Sequence, residues 1–367
     1  MVLLSVVRDV ARAKLNELVK VMEVEGLSAL LLFEGDPIGC KLSASSHFNI
    51  VVVTREGLLV VVDSAFYPVA VEEAFGDVVL VENFTVEGLL RVILSKVGED
   101  ARIGVNCWWG RGKLSFLYAG LLEALRSRSA RIVDATPLLA RVFDKPLDEE
   151  LQIVRWLSEV CSRAIEIAID RIAPGVRECE VAAVIDKTLD EAGVTDRWFS
   201  TIVASGYRAA APHAKTSTKR IGYGEPVVID VGPLWMGYDG CVAHTVVCGR
   251  DRFWEGVIET VREALVKGLE RAKAGSLARI LDEVPRRELS KRNLPNYPHL
   301  SGHPIGGFYK PVIASFIDYP LERNMVFAYE PATYIPRKGG VRIEPHIRVT
   351  ERGSEILTPL HRRELEL

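Results

Sequence analysis

The chain has 367 residues, of which 48% are hydrophobic and 26% charged, and its formal net charge is −3. This composition is typical of a globular protein, and the near balance of charge gives no electrostatic reason to expect nucleic acid or an anionic membrane as a partner. Single cores rarely grow beyond about 250–300 residues, so the length predicts two domains.

The N-terminus and the cysteines bear on the cellular compartment. The apolar opening, Met1 to Arg8, is short and lacks the basic stretch and cleavage site of a signal peptide. No run approaches the ~20 apolar residues of a spanning helix. The six cysteines are widely spread without a Cys-x-x-Cys pair, which argues against a zinc ribbon and a disulfide framework. We therefore expect a cytoplasmic protein.

Helices and strands alternate in the first half of the chain. Helical spacing runs from Arg12 to Glu25, and Ala29 to Phe33 is a short apolar strand. Two Val-rich runs, 49–54 and 58–62, flank a turn and predict a hairpin. Further strands are predicted at 79–81, 102–105 and 130–133, and further helices at 85–97 and 113–128. Residues 1–145 are therefore predicted to form an α/β domain.

The second half predicts an α+β domain over residues 146–367. Asp148, Glu149 and Glu150 suit the N-terminal end of a long amphipathic helix that ends near Pro174, and a second helix covers 178–192. Strands and turns then dominate from 199 to 248, helices from 254 to 289, and strands again from 304 to 357.

Three carboxylates in this half interrupt strands whose neighbours are apolar. They are Asp230, Glu330 and Glu344, and a carboxylate in such a place is costly unless it binds a metal or a hydrogen-bond donor. Glycines after Asp230 predict a hairpin that brings it close to Cys241. One such carboxylate is explained by a salt bridge, but three together with the Gly-flanked His303 favour a metal site.

The order of these patches and the residues within them resemble the pita-bread family, which includes aminopeptidase P, prolidase, methionine aminopeptidase and creatinase. The resemblance covers nearly the whole chain: residues 1–145 resemble the N-terminal domain of the prolidase and creatinase branch, and 146–367 the pita-bread domain. It implies an α/β N-terminal domain, an α+β pita-bread C-terminal domain and a homodimer.

The resemblance also implies a ligand set and roles. Asp230, His303, Glu330 and Glu344 would bind one or two divalent ions, Mn, Co, Zn or Fe, which lower the pKa of a shared water. Glu330 would also accept a proton, and His213 would hydrogen-bond the substrate or the tetrahedral intermediate. The predicted substrate-binding side chains are His213, His299, Lys310 and Arg342.

Several positions depart from the family pattern. Cys241 stands where the family has a second Asp ligand, His244 where it has Arg, and Lys310 and Pro311 where it has His and Glu. Three alternatives remain open for Cys241: a thiolate ligand to Zn or Fe, a bystander beside a single ion, or a site without metal. Without metal, Lys310, His244 and Arg342 are candidate cationic partners for the carboxylates. The other possibility for Lys310 is that it points to solvent.

Three functions follow as hypotheses. The first is a metal-dependent peptidase resembling Xaa-Pro dipeptidase that acts on short peptides, with two-domain length favouring the prolidase branch over methionine aminopeptidase. The second is a metal-free hydrolase of a small C–N-bonded substrate, as creatinase is. The third is a non-catalytic pita-bread module that binds a peptide or protein. The presence of His213 argues against the third, because a pure binding module has no chemical need for it.

Overall fold

The chain folds as two compact units in a computed structural model. The structure describes residues 2–98, 100–107 and 115–365. The N-terminal unit comprises Met1–Glu150 with Met236–Tyr238, and the C-terminal unit comprises Leu151–Trp235 with Asp239–Leu367. In the described part of the chain, no helix is both long and apolar enough to cross a membrane.

A six-stranded mixed sheet with helices between its strands forms the N-terminal unit. In chain order its elements are α1 (Val2–Val24), β1 (Ala29–Phe33), α2 (Pro37–Ser43), β2 (Ile50–Thr54), β3 (Gly57–Val62), α3 (Tyr67–Glu73), β4 (Asp77–Leu80), α4 (Val86–Val97), β5 (Arg102–Val105), α5 (Phe116–Ser127), β6 (Arg131–Asp134) and α6 (Thr136–Phe143). The strand order is β4-β3-β2-β1-β5-β6. Antiparallel pairing joins β1, β2 and β3, and the outer strands add in parallel.

The sequence pattern predicts most of these elements. Strand β1 and the β2–β3 hairpin form as predicted, because runs of Val and Leu between turn residues favour buried strands. The first helix begins at Val2 and not at Arg12, because Val7, Val10 and Ala11 extend its buried stripe. Of the helix predicted at 113–128, residues 113 and 114 lie outside the described residues, and the rest contains α5.

The remaining elements build the α+β unit. They are α7 (Asp148–Arg171), α8 (Glu178–Glu191), β7 (Asp196–Arg197), β8 (Ile202–Ser205), a 3₁₀ helix (Gly206–Ala210), β9 (Pro226–Val231), β10 (Pro233–Trp235), β11 (Tyr238–Asp239), β12 (Val242–Val247), α9 (Arg252–Leu269), α10 (Ala278–Lys291), β13 (Gly302–Pro304), β14 (Val326–Tyr329), β15 (Ala332–Ile335), β16 (Gly339–Arg342), β17 (His346–Val349), β18 (Ser354–Ile356) and α11 (Pro359–Leu365).

Two antiparallel sheets of this unit carry the polar patches. One has the order β12-β9-β8 and the other β13-β14-β17-β18, while β15 and β16 form a separate hairpin. Helices α9 and α10 pack against these strands through a continuous apolar core that includes Trp254, Leu265 and Phe327. Close packing of this core limits movement of the strands that carry the polar residues.

Two of the three carboxylates lie just beyond strand ends, where the sequence pattern places them within strands. Asp230 is inside β9, opposite Ala243 of β12. Glu330 follows the last residue of β14, and Glu344 lies two residues after β16, held by a bridge to Ala243. Each glutamate is followed by a proline, which has no N–H to donate to a sheet and so favours a strand end there.

Candidate functional site

Five side chains that the sequence predicts as ligands converge in the C-terminal unit. The Cys241 sulfur lies 3.7 Å from Oδ1 of Asp230, and Nε2 of His303 lies 3.5 Å from Oε1 of Glu344. Ligand atoms of Cys241, His303 and Glu344 all lie within 4.8 Å of one another. Glu330 is close enough for the charge of Glu344 to act on its pKa. The strand pairing predicted to join Asp230 and Cys241 is confirmed.

The carboxylate of Glu344 is the most unusual group of the site. The residue is 1% exposed, and within the described residues neither of its oxygens has a hydrogen-bond partner. Two charged side chains lie beside it. Nε2 of His303 is 3.5 Å from Oε1 of Glu344, and Nε of Arg342 is 3.6 Å from Oε2. These two cations favour the ionised carboxylate, but its oxygens still have acceptor capacity that no hydrogen bond from the described residues fills. The residues therefore fit a divalent cation, which would bind directly to these oxygens.

The imidazole of His303 is oriented by its backbone. Its Nδ1 lies 3.0 Å from the carbonyl oxygen of Pro304, which can only accept, so Nδ1 carries the proton. In the neutral ring, Nε2 then directs a lone pair toward Glu344. Burial lowers the pKa of His303, but Glu344 and Glu330 outweigh it and raise this pKa to about 9. Either a proton or a metal ion on Nε2 removes the repulsion between the two groups.

The three carboxyl groups of the site differ in how readily they ionise. Burial raises the pKa of Asp230 to about 7 against the opposing charge of Arg342. Burial and the charge of Glu344 raise the pKa of Glu330 to about 8. Burial also opposes ionisation of Glu344, but His303 and Arg342 outweigh it and lower its pKa. The pKa values of Asp230 and Glu330 are thus the two closest to neutrality, and because Asp230 is paired with Arg342, Glu330 is the better placed of the two to exchange a proton with a substrate.

Arg342 is buried within the site. Its guanidinium pairs with Oδ2 of Asp230, and one of its nitrogens donates to the carbonyl oxygen of Pro212 at 3.2 Å. That contact holds the chain next to His213, an exposed residue whose pKa is lowered by partial desolvation and by the charges of Arg342 and His303. His213 is therefore a neutral donor or acceptor at pH 7 beside the carboxylates.

Tyr334 links Arg342 to His299, and sequence reasoning missed it. Its hydroxyl oxygen lies 3.4 Å from Nη1 of Arg342 and 2.9 Å from Nε2 of His299. The other nitrogen of His299 lies 2.7 Å from the carbonyl oxygen of Leu300 and 3.3 Å from Glu330. Both nitrogens of His299 are thus engaged inside the protein. No sequence pattern signals Tyr334, because a tyrosine in an apolar strand is ordinarily a core residue.

Replacing Tyr334 by phenylalanine is expected to lower the free energy of unfolding by about 1–3 kcal/mol, because it leaves Nε2 of the largely buried His299 without its donor. Urea unfolding at pH 7 measures the change. The matched control is Tyr223→Phe, at a tyrosine 69% exposed, which is expected to change stability little. Equal effects of the two substitutions would contradict the importance of this contact.

A second contact missed from the sequence holds the backbone of Cys241. Its N–H donates to Nε2 of His346 at 2.9 Å, and Nδ1 of His346 lies 2.7 Å from the hydroxyl of Ser158. That hydroxyl donates to the carbonyl oxygen of Val154 at 2.7 Å. A Cβ on Gly240 would stand 3.0 Å from the His346 ring, so glycine makes room for this contact. The chain of hydrogen bonds is fully satisfied by a neutral His346, whose pKa burial lowers to about 4.

Two candidate cations lie elsewhere. His244 is buried against His361, with Nδ1 3.3 Å from Nε2 of that ring, and Nε2 of His244 lies 3.6 Å from Glu364. Burial lowers the pKa of His244 to about 4, so the possibility that it is a cationic partner at pH 7 is wrong. Lys310 is exposed, with its ammonium 5.0 Å from the ring centroid of Tyr319. Its role in binding substrate stays a prediction.

Acid is expected to destabilise the protein through the His244–His361 pair. Burial holds the pKa of His361 well below its ordinary value, so this pair stabilises the fold above about pH 6.5. That stability is lost as pH falls from there toward 4, because the unfolded chain takes up the protons first. In His361→Gln, the loss of unfolding free energy between pH 7 and 4.5 should be smaller by roughly 2–3 kcal/mol. Equal losses in urea unfolding of both proteins would contradict the assignment.

Comparison with known proteins places these residues in one family. The sequence model of Peptidase_M24, metallopeptidase family M24, matches residues 152–351. The chain belongs to metallopeptidase family M24.

Among its relatives is the Xaa-Pro dipeptidase of Pyrococcus horikoshii, 30% identical over 366 residues, which cover 96% of this chain and 99% of the relative. The solved prolidase of Pyrococcus furiosus superposes with a TM-score of 0.80 at 28% identity, over 93% of this chain and 98% of that one. The X-Pro aminopeptidase of Thermotoga maritima superposes with a TM-score of 0.82 at 27% identity, over 94% and 97%. The predicted fold, an α/β N-terminal domain with a pita-bread C-terminal domain, is confirmed.

Proposed function

We propose that this protein is a metal-dependent peptidase of the Xaa-Pro dipeptidase type, which hydrolyses short peptides at their N-terminal end. The observation that carries the proposal is Glu344, a buried carboxylate whose oxygens accept no hydrogen bond from the residues that the structure describes, beside His303, Glu330 and Cys241. The similarity to Xaa-Pro dipeptidases along nearly the whole chain supports the same activity.

The site residues divide into ligands and groups that handle protons. Asp230, Cys241, His303, Glu330 and Glu344 are the candidates to hold divalent ions, Mn, Co, Zn or Fe. One or two such ions would supply a more acidic water and polarise the substrate carbonyl. Glu330, whose pKa lies near neutrality, would accept the proton of the attacking water and return it to the leaving amine.

The remaining polar residues either bind the substrate or hold the candidate ligands in position. His213 would donate a hydrogen bond to the substrate amide or to the developing oxyanion, which its neutral state permits. Arg342 and His299 were predicted to bind substrate. Because both are held by Tyr334, we assign them to fixing Asp230 and Glu330 in place. Lys310 remains a candidate for binding substrate. We further propose a homodimer, which light scattering coupled to size-exclusion chromatography tests.

The test combines metal analysis with a peptide assay. Protein purified without chelators is analysed for bound elements and assayed on alanyl-proline with added Mn, Co, Zn or Fe. We expect bound ion and hydrolysis of alanyl-proline, with alanyl-alanine, which lacks the proline, hydrolysed more slowly. A protein that binds none of these ions and hydrolyses neither dipeptide would refute the proposal.

A metal-free hydrolase of a small C–N-bonded substrate is the second candidate. It is favoured by the pairing of Arg342 with Asp230 and of His303 with Glu344, because these cations offset much of the negative charge without an ion. Hydrolysis of a small guanidino compound such as creatine, unchanged by a chelator, would establish this function in place of the first. Binding of peptides without any hydrolysis would instead establish a non-catalytic module.

A further inference from the structure

We propose that Cys241, His303 and Glu344 form a site for one divalent ion of the softer class, zinc, iron(II) or cobalt(II), with the Cys241 sulfur bonded directly to the ion. This inference deepens the proposed function and rests on its placing of a divalent ion among these side chains. It specifies which ions bind, how many, and through which atoms.

The spacing of the three ligand atoms suits such an ion. Ligand atoms about 2.0–2.3 Å from zinc at tetrahedral angles stand roughly 3.3–3.8 Å apart. The distance from Nε2 of His303 to Oε1 of Glu344 is already 3.5 Å, and the sulfur of Cys241 lies within 4.8 Å of both ligand atoms. Small side-chain rotations would therefore bring all three ligand atoms to bonding distance from one ion. Three protein ligands leave a fourth position open, as in catalytic zinc sites.

Two ligands are oriented for an ion before it binds. Glu344 has both oxygens buried and without hydrogen bonds among the described residues. The Nδ1–H of His303 donates a hydrogen bond to the carbonyl oxygen of Pro304, and this leaves Nε2 as the coordinating atom. Backbone carbonyls commonly orient metal-binding histidines in this way.

The third ligand is fixed by a contact of its own. The hydrogen bond from the Cys241 N–H to His346, continued through Ser158 to Val154, anchors the backbone from which the sulfur reaches the site. A sulfur ligand favours zinc, iron(II) and cobalt(II) over manganese and magnesium, which prefer oxygen. On binding, the sulfur–ion bond forms as the S–H bond breaks, and the thiol proton leaves to solvent.

One ion, and not two, follows from the ligand count. Within the described parts of the chain, these residues are the one group of three or more His, Cys, Asp or Glu whose ligand atoms lie this close together. Asp230 has one oxygen engaged by Arg342, and its other oxygen faces the same sulfur. A second ion there would have one oxygen of Asp230 and the carboxylate of Glu330, which lies 3.3 Å from Nδ1 of His299, and would otherwise share the ligands of the first.

Cobalt(II) serves as the probe. Chelator-treated full-length protein is titrated with cobalt(II), and bound cobalt is counted while the near-ultraviolet spectrum is recorded. We expect saturation at one cobalt per chain and a thiolate-to-cobalt charge-transfer band that grows with it. No bound cobalt, or bound cobalt without this band, would overturn the inference, and this measurement requires no variant.

Substitutions then assign the band to one sulfur. Cys241→Ser should lose the band and bind cobalt at least about tenfold more weakly, because a hydroxyl is a poor substitute for a ligand sulfur. Cys241→Asp should lose the band but keep cobalt binding, because a carboxylate can take the place of the sulfur as a ligand. The matched control is Cys248→Ser, at a cysteine as deeply buried but outside the ligand group, which should keep both band and affinity. Thermal unfolding in chelator verifies that each variant is folded. A band that survives in folded Cys241→Ser would contradict the assignment.

The cobalt experiment tests the sulfur ligand independently of the peptidase activity. Alanyl-proline hydrolysis without a thiolate band would retain the peptidase and refute the sulfur ligand. A thiolate band in a protein that hydrolyses no dipeptide would retain the ion site and refute the peptidase.

Discussion

Replacing Glu344 by glutamine is expected to abolish ion binding and to lower kcat/KM for alanyl-proline by at least about a thousandfold. The reason is that a bound ion contributes several kcal/mol of transition-state stabilisation, and each 1.4 kcal/mol is a factor of about ten in rate. The amide keeps the shape of the side chain but supplies only one weakly basic oxygen. Elemental analysis and steady-state kinetics on the same preparation measure both effects.

The control for this substitution is Glu355→Gln, eleven residues further along the chain. Glu355 is paired with Arg155 at 2.7 Å and is about one-third exposed, so its loss should change stability slightly and leave ion content and turnover unchanged. If Glu344→Gln retains both ion and activity while folded, Glu344 is not a ligand, and the placement of the site on this carboxylate is wrong.

Replacing Glu150 by glutamine is expected to lower the free energy of unfolding of the N-terminal unit by about 3–5 kcal/mol, the usual cost of breaking a buried ion pair. Glu150 is fully buried and lies 3.0 Å from the ammonium of Lys41 and 3.6 Å from that of Lys14. Both lysines are 1% exposed. Glutamine removes the negative charge that both ammonium groups contact. Urea unfolding at pH 7 measures the loss.

The pH dependence of the unfolding free energy of the same variant supplies a second test. Burial opposes ionisation of Glu150, but the charges of Lys41 and Lys14 outweigh it and lower its pKa. The stability it contributes is therefore present above about pH 4.3 and lost as pH falls below that value. The difference between wild type and Glu150→Gln should narrow accordingly in acid. The control, Glu191→Gln, breaks an exposed pair with Lys187 and should cost under about 0.5 kcal/mol. Equal costs for both variants would contradict this account of Glu150.

Sequence patterns predicted the long elements and the location of the site. Strand Ala29–Phe33 and the following hairpin form as predicted because their apolar runs are bounded by turn residues. Asp230 and Cys241 meet as expected, because antiparallel pairing of the two strands leaves them adjacent. Helices of seven or eight residues, such as α2, α3 and α6, escaped prediction because they complete too few turns to show a periodic stripe.

Contacts between distant segments were beyond what the sequence could show. The pairing of Arg342 with Asp230 spans 112 positions, and the bond from Cys241 to His346 spans 105. His244 was considered as a cation because a histidine carries no sign of its burial in the sequence. Its low pKa follows from packing against His361, which only the folded chain provides. Local patterns thus indicate which residues are polar in apolar surroundings, while tertiary packing determines their partners and charge.

The most direct measurement is the rate of alanyl-proline hydrolysis as zinc or cobalt(II) is added stepwise to chelator-treated protein. If this protein is a peptidase that uses the ion site at Glu344, hydrolysis should be absent without ion, rise with each addition and level off at one ion per chain. Hydrolysis that is independent of added ion, or the absence of hydrolysis at full ion occupancy, would contradict it.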